Sequence, residues 1–250
     1  MKTSMLTTSR TRTEKNTSIT DMPASSDLRL VRLLQLASPT LPVGAFSYSQ
    51  GLEDAVESGL VHDAVSAKAW IADVLSLSVA RAEAPCFLRL ASAWQTLDWN
   101  GVRNWNDAFL ATREAAEFRA ETVQMGYSLR RLVASLPGID AGQLTQLEAL
   151  DEPSFPCAYS FAAVQWQIAP HDALLAYLWS WLENQVMAAL KTVPLGQTDG
   201  QRILLALSAS LSDFVDAAMA MANEDIGSFA PGLALASCRH ESQYSRLFRS

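Results

Sequence analysis

Histidine and cysteine are the residues in this chain best suited to metal or nucleophilic chemistry, and both are scarce. They are spread across the 250 residues: His62, His171, His240, Cys86, Cys157 and Cys238. The two types meet only at Cys238-Arg239-His240, where a thiolate and an imidazole lie within reach of one metal ion. Two ligands in a terminal segment make a poor cage, so we expect no firm metal site and only a transient metal contact through His240.

Enzyme motifs are missing from the sequence. There is no G-x-x-x-x-G-K-[ST] phosphate loop and no pair of Glu-x-x-His motifs for a di-iron bundle. The dipeptides His62-Asp63 and His171-Asp172 are compatible with a metal-dependent phosphohydrolase, but each Asp also suits a helix N-cap. We therefore expect no catalytic residues and no enzyme, with a stand-alone helical metal-dependent hydrolase as the alternative.

Composition favours an all-α protein. Apolar residues make up 49% of the chain, and Val/Ile/Thr runs bounded by glycine are almost absent. The net charge is −7, with +2 on residues 1–26 and +2 on residues 237–250, which leaves −11 on the body between them. An acidic body argues against nucleic acid and suits protein partners with basic patches. Three dispersed cysteines favour a reducing cytoplasm, and no apolar run reaches the length of a membrane span.

The apolar spacing divides the chain into three parts. We expect residues 1–26 to be a disordered arm and residues 27–236 to form a single helical domain of roughly 8–10 helices. Residues 237–250, called the tail below, are the predicted partner-docking segment. Ser26, Asp63 and Asp172 are predicted helix caps, and Pro85 is predicted to begin a helix.

A stiff corner follows the first predicted helix, and we call residues 38–53 the elbow. Pro39, Pro42 and Gly44 restrict or reverse the backbone there. The aromatic rings of Phe46 and Tyr48 follow, and they suit either the core or a partner. Residues 113–121 alternate in charge at helical spacing, which predicts a solvated face or a partner-facing stripe.

The tail combines anchors and charges that are typical of interface centres. Its sequence, SCRHESQYSRLFRS, interleaves aromatic and apolar residues with three arginines. Guanidinium groups and rings deliver binding energy at little entropic cost, so we expect the tail to order on a partner, with folding back on its own bundle as the alternative.

Three long stretches together resemble the UreF family of urease accessory proteins. They are LLQLASPTLPVGAFSYSQGLE at 33–53, AALKTVPLGQTDGQRILLAL at 188–207 and the tail at 237–250, and TREAAEFRAETVQMG at 112–126 matches more weakly. They occur in the family's order. Cys238 departs from the family, which usually has another residue there, often Met, so the resemblance does not make Cys238 a nickel ligand.

The resemblance implies a UreF-like bundle and a cytoplasmic chaperone without enzyme activity. Such proteins form a homodimer, bind a UreD-type (UreH) protein and then the GTPase UreG, dock on apo-urease and help to insert nickel, which the complex handles transiently. The tail then supplies the contacts to the UreD-type partner: Arg239, His240, Glu241, Tyr244, Arg246, Leu247, Phe248 and Arg249.

The elbow and the corner at 191–199 are the predicted GTPase-facing surface. Its residues are Gly44, Phe46, Tyr48, Glu53, Lys191 and Gln197. Glu53 and Lys191 are charges within apolar motifs, which indicates exposed positions where they read complementary charges. Direct activation of the GTPase is the alternative to gating, but it needs an arginine, and neither segment contains one.

Overall fold

The computed structural model describes residues 25–250, so the predicted arm at 1–26 lies outside the described residues except for its last two positions. Within this range the chain forms helices and no strand. The α-helices are α1 (Ser26–Leu36), α2 (Leu52–Glu57), α3 (Ala64–Val74), α4 (Ala84–Gln95), α5 (Trp99–Ala111), α6 (Ala116–Ala134), α7 (Ala141–Glu148), α8 (Phe155–Gln165), α9 (Pro170–Thr192), α10 (Gln197–Ser208), α11 (Leu211–Ala220) and α12 (Pro231–His240). The all-α class is confirmed.

Helix count depends on how interruptions are treated. A π-helix at Leu75–Glu83 joins α3 to α4, and only a two-residue turn separates α10 from α11. With each of these pairs taken as one helix, the described residues form ten, as the sequence predicts.

Polar side chains begin several helices. Asp63 caps α3 as expected, since its carboxylate accepts the Ser66 N–H in a capping box. At α1 the cap is Ser25 and not Ser26, because the Ser25 hydroxyl accepts the Leu28 N–H. The cap predicted at Asp172 is wrong, since α9 already begins at Pro170 and Asp172 lies in its first turn.

The rod formed by α3, the π-helix and α4 runs through Pro85 without a break. Proline has no N–H, so the Arg81 carbonyl four residues earlier lacks its helical donor. The N–H of Gly227 supplies that bond at 3.2 Å, and Phe229 donates to the Leu77 carbonyl at 3.3 Å. A distant loop thus completes the rod, and Pro85 lies at the start of α4, within one residue of its predicted position.

An aromatic core lies between α4, α8 and α9. Tyr159 packs edge-on against Phe87, Phe155 and Tyr177, with ring centroids 5.1–5.9 Å apart. On the neighbouring α6, a Cβ at Gly126 would lie 2.0 Å from the Pro153 carbonyl oxygen, so only glycine fits that close approach.

One helical stretch is apolar and long enough to cross a membrane by composition. It is Gln197–Ala220, whose most apolar window of 18 residues has a mean hydropathy of 1.6. A third of that window is buried, the stretch is broken into α10 and α11, and both helices pack against α9. Core helices of soluble proteins can have the same length and composition.

Candidate partner-docking surface

The elbow owes its shape to three backbone positions with positive φ. They are Gly44 (83°), Gln50 (53°) and Gly51 (77°), a conformation that side chains other than glycine rarely adopt. Gly51 also lies against α12, because a Cβ there would be 3.2 Å from the Ala236 Cβ. Gly51 therefore lies where α2 and α12 pack on each other.

The tail lies against the elbow and forms hydrogen bonds with its backbone. The Arg249 N–H donates to the Ser47 carbonyl at 2.8 Å. The Ser250 carbonyl oxygen in turn accepts the N–H groups of Ser49 (2.6 Å) and Gln50 (3.1 Å) and the Ser49 hydroxyl (2.6 Å). In this structure the tail is therefore folded against its own chain.

Glu53 is the main anchor of the tail, and the expectation that it is exposed is wrong. Glu53 is only 9% exposed. Its carboxylate accepts the backbone N–H of Leu247 at 2.6 Å and of Phe248 at 2.9 Å. Within residues 25–250 the extended tail has no neighbouring backbone to accept these two N–H groups. The buried carboxylate of Glu53 accepts them instead.

His240 is fully buried between two carboxylates. Its Nε2 lies 3.0 Å from Glu53 Oε2, and its Nδ1 lies 2.7 Å from Glu117 Oε2. Arg246 donates to the other oxygen of Glu117 at 2.6 Å. Both ring nitrogens are thus occupied while the tail is docked, whereas Cys238, two residues earlier, is exposed. The transient metal contact of His240 stays a prediction that needs a displaced tail.

A second buried acid, Glu121, holds the end of the tail. Its carboxylate accepts the Gln50 amide at 2.7 Å and the Ser250 hydroxyl at 2.9 Å. Gln50 also accepts the Trp181 indole N–H at 2.7 Å, so it links α6, α9 and the tail. Burial raises the pKa of Glu121 to about 7.

Gln50 and Glu121 also line a partly open cavity of about 200 Å³. Its far wall holds Glu83, which accepts the Tyr177 hydroxyl and pairs with Arg113 at 3.3 Å. Burial and the neighbouring Glu83 carboxylate raise the pKa of Tyr177 well above its usual value.

Within residues 25–250 no group of three His, Cys, Asp or Glu side chains is arranged to hold a metal ion.

Several predicted site residues remain on the surface around the docked tail. Tyr244 is fully exposed, Phe46 is 65% exposed and Leu247 is 62% exposed. Lys191 is exposed and its Nζ lies 5.4 Å above the Phe248 ring. The remaining predicted residues divide into exposed positions and buried or partly buried ones. Arg239, Glu241, Arg246, Arg249 and Gln197 are exposed, while Gly44, Tyr48 and Phe248 are not.

The structure brings the tail, the elbow and Lys191 together, while Gln197 lies on α10 at the 191–199 corner. The sequence predicted a solvated face or a partner-facing stripe at 113–121, and the solvated face is wrong for Glu121, which is 6% exposed. Neither Glu117 nor Glu121 was among the predicted site residues. Both belong to the charged stretch at 113–121, and their spacing of four places them on one face of α6. That spacing was the available signal, but the buried partners come from residues more than 120 positions away.

The described chain is thus an all-helical protein in which clustered acids hold a folded-back segment and leave aromatic and basic side chains exposed beside it. A family model described as UreF matches residues 61–208. A protein of Azoarcus sp. named urease accessory protein UreF is 56% identical over 230 residues, which cover 91% of this chain and 98% of the relative. Relatives with that name from Methylobacillus flagellatus and Janthinobacterium sp. are 52% and 51% identical, over 90% and 88% of this chain and 100% and 98% of their own lengths. The chain belongs to the UreF family of urease accessory proteins.

Proposed function

We propose that this chain is a non-catalytic adaptor for the assembly of the nickel centre of urease. It acts in the cytoplasm as a homodimer with a UreD/UreH-type protein and the GTPase UreG, and the complex docks on apo-urease. Nickel passes through the complex as cargo and is not a resident cofactor of this chain. Family membership and the relatives' name support the accessory role.

The tail carries the partner assignment. It is held on the elbow by Glu53 and Glu121, yet Tyr244 and Leu247 point away from the body. Exposed aromatic and apolar side chains on an ordered segment supply binding energy with little further ordering cost. Arg239, Arg246 and Arg249 are exposed in the same segment and suit an acidic rim on the UreD-type partner.

Co-purification tests this assignment. Candidate UreD/UreH-type and UreG proteins are co-expressed with the full chain, with a chain lacking residues 237–250, and with the double variant Tyr244→Ala/Leu247→Ala. We expect both altered chains to lose the UreD-type partner. Leu205→Ala is the matched control, because Leu205 is also an exposed apolar residue, at 76%, and belongs to α10 and not to the tail. If the truncated chain still binds the UreD-type partner, the tail is not part of the interface.

The GTPase-facing surface is proposed at the elbow and at 191–199, with Phe46 and Lys191 as its exposed members. Lys191→Ala leaves no buried group unpaired, so we expect normal folding with altered UreG binding or urease activation. Wild-type UreG binding and urease activation by this variant would reject Lys191 as a contact.

Direct activation of the GTPase is the second candidate function, and the position of Arg249 favours it. Neither the elbow nor 191–199 contains an arginine, but the docked tail bonds the exposed Arg249 to Ser47. An arginine that reaches the transferred phosphate raises turnover by orders of magnitude. Single-turnover GTP hydrolysis by UreG, measured with the wild-type chain and with Arg249→Ala, separates the two functions. If the chain activates the GTPase directly, the wild-type chain raises the chemical rate and Arg249→Ala does not. If the chain only gates the GTPase, neither protein changes the chemical rate.

A stand-alone hydrolase is the remaining alternative. Metal analysis and a phosphatase screen of the pure chain test it directly. Turnover of any substrate by the isolated chain would overturn the adaptor proposal.

A further inference from the structure

The cavity beside the elbow is large enough to hold a small organic molecule. Its volume is about 200 Å³, and an apolar cavity of about 150 Å³ is already enough for benzene. Phe46 and Met187 line it and are 65% and 45% exposed, so they mark its opening to solvent. Buried or partly buried aromatic side chains line the rest of it: Phe109, Phe118, Phe155, Tyr159, Tyr177 and Trp181.

The hydroxyl of Tyr159 is a polar group of this cavity that lacks a partner. Tyr159 is fully buried, and no group of residues 25–250 forms a hydrogen bond of normal length with its hydroxyl. Ser180 lies close to it, but the Ser180 hydroxyl donates to the Ala176 carbonyl at 2.8 Å. Because an unpaired buried hydroxyl is unfavourable, the cavity favours a guest that forms a hydrogen bond with Tyr159.

The charged side chains on the cavity wall leave one negative charge in excess. Glu83 pairs with Arg113 at 3.3 Å, and the partly buried Glu183 is matched by the exposed Lys191. Glu121 is the remaining acid. Its carboxylate is bonded to neutral groups and forms no ion pair within residues 25–250. A guest with a single positive charge would compensate it.

The polar groups around Glu121 are better acceptors than donors. Gln50 directs its amide N–H to Glu121 at 2.7 Å, and Asn184 directs its amide N–H to the Tyr48 carbonyl at 3.2 Å. A carboxylate can accept further hydrogen bonds, and the Tyr159 hydroxyl can accept as well. The cavity therefore suits a guest that carries N–H donors.

The aromatic walls also suit a cation. The face of an aromatic ring attracts an ammonium or guanidinium group, most strongly where water is excluded. One such contact already exists at this wall, because the guanidinium carbon of Arg113 lies 4.4 Å from the centroid of the Phe109 ring. A compact hydrocarbon body with one ammonium group matches the rings, the acceptors and the excess charge together.

We infer that this cavity binds a small organic ammonium ion, with its hydrocarbon body against the aromatic rings and its N–H groups directed to Glu121 and Tyr159. The site belongs to the isolated chain. It goes beyond the proposed function, since the partner contacts proposed above require no guest.

Three probes with the same ring test the charge of the guest: cyclohexylammonium, cyclohexanol and cyclohexanecarboxylate. Each is titrated into the isolated full chain by calorimetry at pH 8, where Glu121, with a pKa of about 7, is ionised and the alkylammonium remains protonated. We expect the ammonium to bind about tenfold more tightly than the alcohol, and the carboxylate to bind most weakly. An affinity for the ammonium no higher than that for the alcohol, or no binding of the ammonium, would overturn the proposal.

Methionine methyl NMR locates the bound probe. Met125 and Met187 line the cavity, whereas Met219 is exposed on α11. We expect cyclohexylammonium to shift the methyl signals of Met125 and Met187 and to leave that of Met219 unchanged. Binding without a shift at Met125 would place the probe elsewhere and overturn the proposal.

The variant Tyr159→Phe tests the unpaired hydroxyl. It keeps the ring and removes a group without a partner, so we expect an unchanged unfolding midpoint and several-fold weaker binding of cyclohexylammonium. Tyr127→Phe is the matched control, because Tyr127 is 43% exposed on α6 and does not line the cavity. If Tyr159→Phe binds the ammonium as tightly as the wild-type chain, the proposal is wrong.

The variant Glu121→Gln tests the excess charge. Glutamine keeps the shape, so we expect the preference for cyclohexylammonium over cyclohexanol to disappear. Because Glu121 also holds the tail, the affinity for cyclohexanol in the same variant controls for a change in the cavity. A preference equal to that of the wild-type chain would overturn the role of Glu121.

These titrations are independent of the urease partners. Failed co-purification leaves the ammonium site intact, and a chain that binds no ammonium leaves the adaptor proposal intact, so the two failures are distinguishable.

Discussion

Replacing Glu121 with glutamine should make the chain less sensitive to alkaline pH. The carboxyl is buried and bonded to Gln50 and Ser250 without a cation in direct contact. Its pKa rises from 4.5 to about 7 on folding because burial disfavours the charged form. The folded chain therefore binds more protons than the unfolded chain between these two values.

The sign and size of the effect follow from linkage. The contribution of Glu121 to stability is greatest below pH 4.5, falls as the pH rises from 4.5 to 7, and is lost above pH 7. A shift of about 2.5 units corresponds to about 3 kcal/mol in total, of which about 2.5 kcal/mol falls between pH 5 and pH 8. Glutamine keeps the shape and does not titrate, so the variant escapes this loss.

Urea unfolding of both proteins at pH 5, 6, 7 and 8 measures the difference in unfolding free energy. Subtraction cancels the other titrating groups, and the exposed Glu114→Gln controls for the loss of one charge. We expect the free energy of the Glu121→Gln variant, relative to wild type, to grow by about 2.5 kcal/mol from pH 5 to pH 8. A flat difference, or one that shrinks, would refute the raised pKa.

Three further predictions concern the anchor, the core and the cavity. Glu53→Ala removes the acceptor for two tail N–H groups, so tryptic cleavage in the tail should accelerate while far-ultraviolet circular dichroism stays helical. Leu205→Ala, at an exposed position on α10, should leave cleavage at the wild-type rate, and equal rates in all three proteins would contradict the anchor. Gly126→Ala should cost about 2 kcal/mol or more in urea unfolding because its Cβ meets a carbonyl oxygen, whereas Gly232→Ala, with open space around it, should cost nothing; equal stabilities would contradict the close approach. Tyr177→Phe deprives a buried carboxylate of a donor and should lower the unfolding free energy by about 1–3 kcal/mol in the same assay, and an unchanged value would mean the phenol is not needed.

Local signals in the sequence predicted the fold class and most of the helices. Apolar spacing of three and four and the cap at Asp63 depend on neighbouring residues, so they can be read directly. Pro85 was correctly expected at the start of a helix, but the sequence did not show that α4 continues directly from the π-helix before it, because the N–H that bonds the Arg81 carbonyl comes from Gly227, more than 140 residues away. A long-range donor leaves no trace near the proline.

The candidate site was predicted in its parts but not in its arrangement. Elbow and tail were both singled out, yet nothing local shows that they touch. Glu53 has the pattern of a surface charge, and it is buried only because N–H groups nearly 200 residues later reach it. Exposure of such a residue is decided by the tertiary contacts of the tail.

The loop that completes the rod also limits how the end of the chain can move. Gly227 and Phe229 are fastened to the carbonyls of Arg81 and Leu77, only a few residues before α12 starts at Pro231. If the last ten residues move away from the body, they stay attached to α12, and the chain just before α12 is held by these two hydrogen bonds. Their radius of search is small, and a partner that captures them must approach within a few nanometres of this one face.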